Sequence, residues 1–351
     1  MRGGLLCAAL LLLITSIVEA DNRHEPPRYR IEKLQGIEGI PTKIDSQGAI
    51  TGQGVTPPSS ESFPYLWTKQ RTIILQAEPP IVAVMGNAVN DKGQVAGILK
   101  GPDPVRTRGF VWTRGRFVEI GDLPGGSSVS SAADINKAGQ VAGASDSAKG
   151  RECILWKRGT LMSIGDLPGG DVRCEALAIN RSGEIVGWSQ TDRDVRPFIW
   201  RQGTMTELPL PPEASQGFAV DINRRGDVVG SFTVGFARAG AIVWSNGEMN
   251  LLPTRRGLIP TARGINDRGD IVGWLGAGGG PLVAVLWHHG VPVDLRDLVA
   301  DEDPLKACTR LEAAEAINNR GEIAATGVDE CATPNPPGIY RLVPIKGKNR
   351  K

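Results

Sequence analysis

Short runs of aliphatic and β-branched residues alternate with Gly-, Asn- and Pro-rich breaks along nearly the whole chain. In one stretch, Ala132 to Asn136 reads as a strand, Lys137-Ala138-Gly139 turns it, and Gln140 to Ser145 runs back. A polar loop leads to Cys153–Lys157, Arg158-Gly159 is the next turn, Leu161 to Leu167 is a fourth strand, and Pro168-Gly169-Gly170 breaks it. The logic is local. Asn closes an Asx-turn onto its own backbone, and Gly supplies the positive φ of tight hairpins. The residues between the turns suit a buried pleated surface. No stretch after residue 20 has sustained helical periodicity, so an all-β chain is expected.

This unit recurs. Asn90-Asp91-Lys92-Gly93-Gln94-Val95-Ala96-Gly97 is one copy of a hairpin whose other copies begin at Asp45, Asn136, Asn180, Asn223, Asn266 and Asn318. Each copy precedes an aromatic landmark: Trp67, Trp112, Trp156, Trp200, Trp244, Trp287 and finally Tyr340. The landmarks are 43 to 45 residues apart, except for the last interval of 53. Four strands per unit at this period predict a seven-bladed β-propeller of four-stranded blades. A two-layer solenoid is the rival, but it uses shorter repeats and needs distinct caps. Tyr29 to Leu34 aligns with the fourth strand of a unit, whereas the last unit has only its first three strands. The N-terminal strand is therefore expected to close the last blade, removing two loose edges. The repeat is unbroken, so residues 21–345 are expected to form one domain, with 346–351 a basic tail.

The first twenty residues are a separate object. Arg2 is a short basic region, Leu5 to Val18 is apolar, and Val18-Glu19-Ala20 suits a cut after Ala20. This reads as a secretory signal peptide, with an uncleaved anchor as the alternative. A secreted or periplasmic protein is implied, and no later segment could span a membrane. Export gives meaning to Cys153, Cys174, Cys308 and Cys331, an even set in an oxidising compartment. In a four-stranded meander all four fall at the same end of the blades. Of three connectivities, 153–174 and 308–331 are favoured, each closing a loop worth about 3 kcal/mol. Four buried free thiols are the alternative. The net charge of +2 comes from interspersed signs and is no footprint for nucleic acid.

Chemistry is sparse. His24, His288 and His289 are the only histidines, so a metal site, a nucleophilic triad and a resident cofactor are all unsupported. Asp122 and Asp166 supply one carboxylate per Gly-Asp-Leu-Pro-Gly-Gly turn, short of a calcium site. Asp134 and Asp221 stand two positions before the repeat Asn, on the strand nearest the channel, where other units have Lys43, Ala88, Ala178, Gly264 and Ala316. Such carboxylates are candidates for contact with a ligand or partner; they could do acid–base work on a sugar or uronate, or could be hydrogen-bonded structural groups. The landmark tryptophans are expected to fill the wedge between blades. Trp188 and Trp274 are extra aromatics, and they are candidates for contact with a partner or for packing within the blade.

The stretch Gly109-Phe110-Val111-Trp112, through Gly121-Asp122-Leu123-Pro124-Gly125-Gly126, to Ile135-Asn136-Lys137-Ala138-Gly139-Gln140-Val141-Ala142-Gly143 resembles the consensus of the HAF repeat proteins, an extracellular bacterial group. The likeness covers nearly the whole mature chain. The namesake His is absent, with Arg108, Glu152, Arg196 and Gly240 in its place, and Ala is matched only at Ala241 and Ala284. The resemblance implies export and a repeat fold, and no activity. The expected function is that of a monomeric, non-catalytic binding or scaffold protein. It would present its loop face to a protein or glycan, the loops being the variable part of a constant frame. Alternatives are an exported carbohydrate-active lyase or hydrolase using channel carboxylates, and a purely structural surface protein.

Overall fold

The computed structural model describes residues 25–55, 62–79, 81–101, 103, 106–235, 237–277, 280–333 and 336–345. The expected signal peptide and basic tail lie outside these residues, as do parts of the variable loops at 53–64, 99–108, 275–281 and 328–337.

Each repeat folds as an antiparallel meander. The inner strands are Glu38–Ile44, Val82–Val89, Ser130–Ile135, Val172–Ile179, Gln216–Ile222, Ile259–Ile265 and Thr309–Ile317. Consecutive inner strands contact one another, and the last contacts the first, so they surround a channel. The protein is an all-β propeller.

Counted as separate sheets, five four-stranded blades are present and not the expected seven. The other eight strands form one continuous sheet from the third and fourth repeats. Gly150 and Arg151, on the strand Gly150–Lys157, pair in parallel with Val172 and Arg173 of the next inner strand. The cause lies beside this join. A disulfide links Cys153 to Cys174 and draws the two strands together. Gly150 permits the approach: a Cβ there would lie 2.4 Å from the Val172 carbonyl oxygen.

The second disulfide joins Cys308 to Cys331, so both pairings follow the expectation. Two disulfides mark a protein of an oxidising compartment. No helix among the described residues is long and apolar enough to cross a membrane.

The N-terminal strand Tyr29–Lys33 pairs antiparallel with Pro337–Pro344, the third strand of the last repeat. The longer last interval holds a second grip on it. A one-turn helix, Leu295–Leu298, departs from the purely β expectation. It is capped by Asp294, which accepts from the Arg296 N–H at 2.9 Å. The residues beyond it fold over the N-terminal strand: Ala300 donates to the Tyr29 carbonyl and Ile31 N–H donates to Asp303, both at 2.9 Å.

The core lies between neighbouring meanders. Ala88, Ala96 and Val111 of the second repeat, for example, pack on Ile135, Val141 and Ile154 of the third. Landmark aromatics join these wedges to different degrees. Trp287 and Tyr340 are fully buried and Trp112 and Trp244 nearly so, but Trp67, Trp156 and Trp200 are half-buried. Trp244 and Trp287 donate their indole N–H groups to the carbonyls of Pro209 and Pro253, at 2.7 and 2.8 Å.

Candidate functional site

The repeat Asn sets the inner wall. Asn90 Oδ1 accepts from the N–H groups of Lys92 and Gln94, closing the expected Asx-turn. Its Nδ2 also donates to the carbonyl of Asn136, the equivalent residue of the next repeat, at 2.9 Å. The same link runs from Asn136 to Asn180, Asn180 to Asn223 and Asn223 to Asn266, at 3.1, 3.0 and 3.0 Å. It continues from Asn266 to Asn318 at 3.5 Å and from Asn318 to Asp45 at 2.7 Å. Asp45 has no side-chain N–H, so the seventh link is missing.

Asp134 and Asp221 do converge in the channel, and Lys43 lies between them. Its Nζ is 3.0 Å from Asp221 Oδ1 and 3.5 Å from Asp134 Oδ2. Each carboxylate also clips the adjacent repeat, with Ile179 N–H donating to Asp134 at 2.9 Å and Ile265 N–H to Asp221 at 3.0 Å. Burial alone would lower the Lys43 pKa, but the two carboxylates outweigh it and hold the ammonium above its ordinary range. Burial pushes Asp134 above the usual carboxylate range, against the pull of Lys43 and the Ile179 N–H. A charged triad with its acceptors occupied is a cross-brace. It divides the channel into two chambers of about 350 and 490 Å³, both lined by Lys43, Asp134 and Asp221.

The larger chamber opens on the loop face. Its wall comes from a feature absent from the sequence reading. Every inner strand carries a β-bulge three residues before the repeat Asn or Asp, as between Ala132 and Asp134 or between Ala262 and Gly264. A bulge re-aims the extra side chain. The bulged residues are Thr42, Asn87, Ala133, Leu177, Val220, Arg263 and Glu315, and all seven line this chamber. In ring order, three consecutive apolar residues at Ala133, Leu177 and Val220 face polar ones on the other repeats. Arg263 pairs with Glu315 at 3.0 Å, and burial raises the Glu315 pKa. Arg151 and Glu175 form a second ion pair in the same wall.

Trp188 and Trp274 are half-buried, and neither lines the two chambers. Trp188 meets Phe218 edge-on, with centroids 6.2 Å apart, beneath Arg173. Trp274 supports the chamber indirectly, since the Arg263 guanidinium lies over its ring at 5.7 Å. Among the described residues no three His, Cys, Asp or Glu side chains are grouped to hold a metal.

No protein-family model matches the sequence, and no curated protein sequence matches it. Solved structures do. The chain is similar to the β-propeller domain of the Trilobed protease from Pyrococcus furiosus, described as having an open velcro topology. That match has a TM-score of 0.55 at 10% identity and covers 93% of this chain and 95% of that one. YCF48 bound to D1 peptide matches with a TM-score of 0.50 at 12% identity over 93% and 98% of the two chains. YCF48 from Cyanidioschyzon merolae gives 0.50 at 9% identity over 90% and 99%. These likenesses establish the propeller fold.

Proposed function

We propose that this is an exported, non-catalytic binding protein that takes part of a protein or glycan partner into the loop-face chamber. The ring bulges carry this reading. One residue per repeat is turned into a common space, and its identity varies while its backbone geometry does not. Such a ring is a specificity wall on a rigid frame, with the variable loops around its mouth. The floor carboxylates argue against acid–base work, because Lys43 and backbone N–H groups already engage them.

In this reading the eight-stranded sheet acts as two blades, so that the ring is seven-fold like the repeat, with the N-terminal strand completing the last blade. The signal peptide, the HAF relationship and a monomeric state belong to the same proposal. YCF48, alike in fold, is known bound to D1 peptide, which is compatible with a peptide partner here. Trp188 and Trp274 then support the wall through their arginines or touch the partner at its edge.

Filling the chamber tests the idea. Leu177→Trp should abolish capture of glycans on an array and of proteins from periplasm or culture medium, with the melting temperature nearly unchanged. Unaltered capture by a folded Leu177→Trp variant would count against this chamber. A second reading, an exported lyase or hydrolase, is favoured by one observation: burial raises both Asp134 and Glu315. Turnover of uronate-containing glycans that disappears in Glu315→Gln would establish it.

A further inference from the structure

The smaller chamber opens on the opposite face, at the hairpin turns. Its rim is built from the residues that follow the repeat Asn or Asp, and in ring order they are Ser46, Asp91, Lys137, Arg181, Arg224, Asp267 and Asn319. Most of them interlock. Ser46 N–H donates to Asp91 at 3.0 Å, and Lys137 pairs with Asp91 at 3.1 Å. Arg224 N–H donates to Asp267 at 2.8 Å, and Asn319 donates its amide to Asp267 at 2.7 Å. The exception is Arg181. Among the described residues it has no hydrogen-bond or ion-pair partner, although it is exposed at the chamber wall. It stands between Lys137 and Arg224, so three consecutive repeats present cations and only the outer two are neutralised by a neighbour. The wall also carries Asp91, Asp134, Asp221 and Asp267, but each is engaged by a neighbouring cation or N–H group, so among the described residues Arg181 is the unmatched charge of this lining.

We propose that this mouth binds a hydroxylated carboxylate of uronic-acid type, with its carboxylate on Arg181. The guanidinium offers a planar fork that matches a carboxylate. Ser46 and Asn319 stand across the ring in repeat order and suit hydroxyl groups, as do the acceptors on Asp91 and Asp267. The chamber's about 350 Å³ is far more than a bare phosphate fills, and its floor is the polar Lys43–Asp134–Asp221 brace, which suits a hydroxylated ring. The proposal is independent of the loop-face reading, because the Lys43 brace separates the two chambers.

Isothermal titration of the mature protein with glucuronate, glucose and inorganic phosphate tests it. Glucuronate should bind, and both glucose and phosphate should be weaker by about tenfold or more, the scale of a lost charge-assisted contact. Arg181→Ala should weaken glucuronate by about tenfold, and Arg181→Lys by less. Affinity should fall with added salt. Arg193→Ala, an exposed arginine beyond the other face, should change nothing. The assignment is overturned if Arg181→Ala binds glucuronate like the parent, if phosphate competes equally, or if no titrant gives heat.

Discussion

At Asn318 one side chain works in two directions, its Oδ1 holding its own turn and its Nδ2 reaching the first repeat. Asp45 does only half of this. Its Oδ1 accepts from the N–H groups of Gln47 and Ala49, both at 2.8 Å, but it has nothing to donate to the second repeat. Burial raises its pKa, and the charge of nearby Asp91 adds to the effect. A carboxyl whose folded-state pKa is raised binds protons more tightly in the folded state. Its ionised form therefore costs stability at neutral pH, and the cost is relieved as pH falls through the folded pKa. Asp45→Asn should remove the charge, keep both turn contacts and supply the missing donor to the Asn90 carbonyl. The expected gain is about 1 kcal/mol in urea titrations at neutral pH, shrinking on acidification. A loss of stability would show that no seventh link is formed, and a gain independent of pH would show that the Asp45 charge costs the fold nothing.

The meander was legible in the sequence because its signals are local. Gly and Asn punctuation marks the turns, and the aromatic landmark marks the third strand. The disulfides were legible too, since the period places each cysteine at a known end of a unit. What could not be read was a matter of register or of contact between strands. A bulge is a mismatch between two strands, and Thr42 or Val220 carries no mark of its own. The Lys43 brace was half visible. Sequence alignment put Lys43, Asp134 and Asp221 at one repeat position, but their meeting needs a closed ring, because Lys43 and Asp221 are 178 residues apart. The separation of Trp188 from the landmark tryptophans also depends on which neighbour covers each ring. Trp287 is wholly enclosed and hydrogen-bonded to Pro253, whereas Trp188 is half-buried beneath an arginine. Trp287→Ala should therefore cost about 3–5 kcal/mol, the range for large aromatics lost from cores. Trp188→Ala should cost distinctly less. Denaturant titrations that ranked the two the other way would mean that the wedges between meanders are not where this ring stores its stability.

A ring must hold its two ends, and this one uses a strand, an insertion and a buried charge cluster. The strand Tyr29–Lys33 adds an edge to the last sheet, and the segment after the one-turn helix grips its other side. Tyr29 is fully buried among Leu295, Leu298 and Val299. Glu32 and Glu322 sandwich the wholly buried Arg341, at 2.8 and 2.7 Å, and the guanidinium also lies over Trp67 of the first repeat. The closing strand thus supplies backbone pairing, apolar burial and half of the countercharge at the junction. Removing residues up to Leu34 deletes all three at once and leaves Arg341 with one carboxylate. Removing one partner of a buried ion pair is costly, typically about 3–5 kcal/mol, and the lost strand adds to it. The deletion should lower the melting temperature by about 10 °C or more and broaden the calorimetric transition, because an open ring frays from its ends. Glu32→Gln isolates the charge: it should retain the closed ring, with a smaller loss that added salt reproduces only in part, since Arg341 and Glu322 are buried while Glu32 is partly exposed. If the truncated protein melts within about 2 °C of the parent, as a change under 1 kcal/mol would give, the contacts between repeats alone close the ring and the N-terminal strand is only a cover.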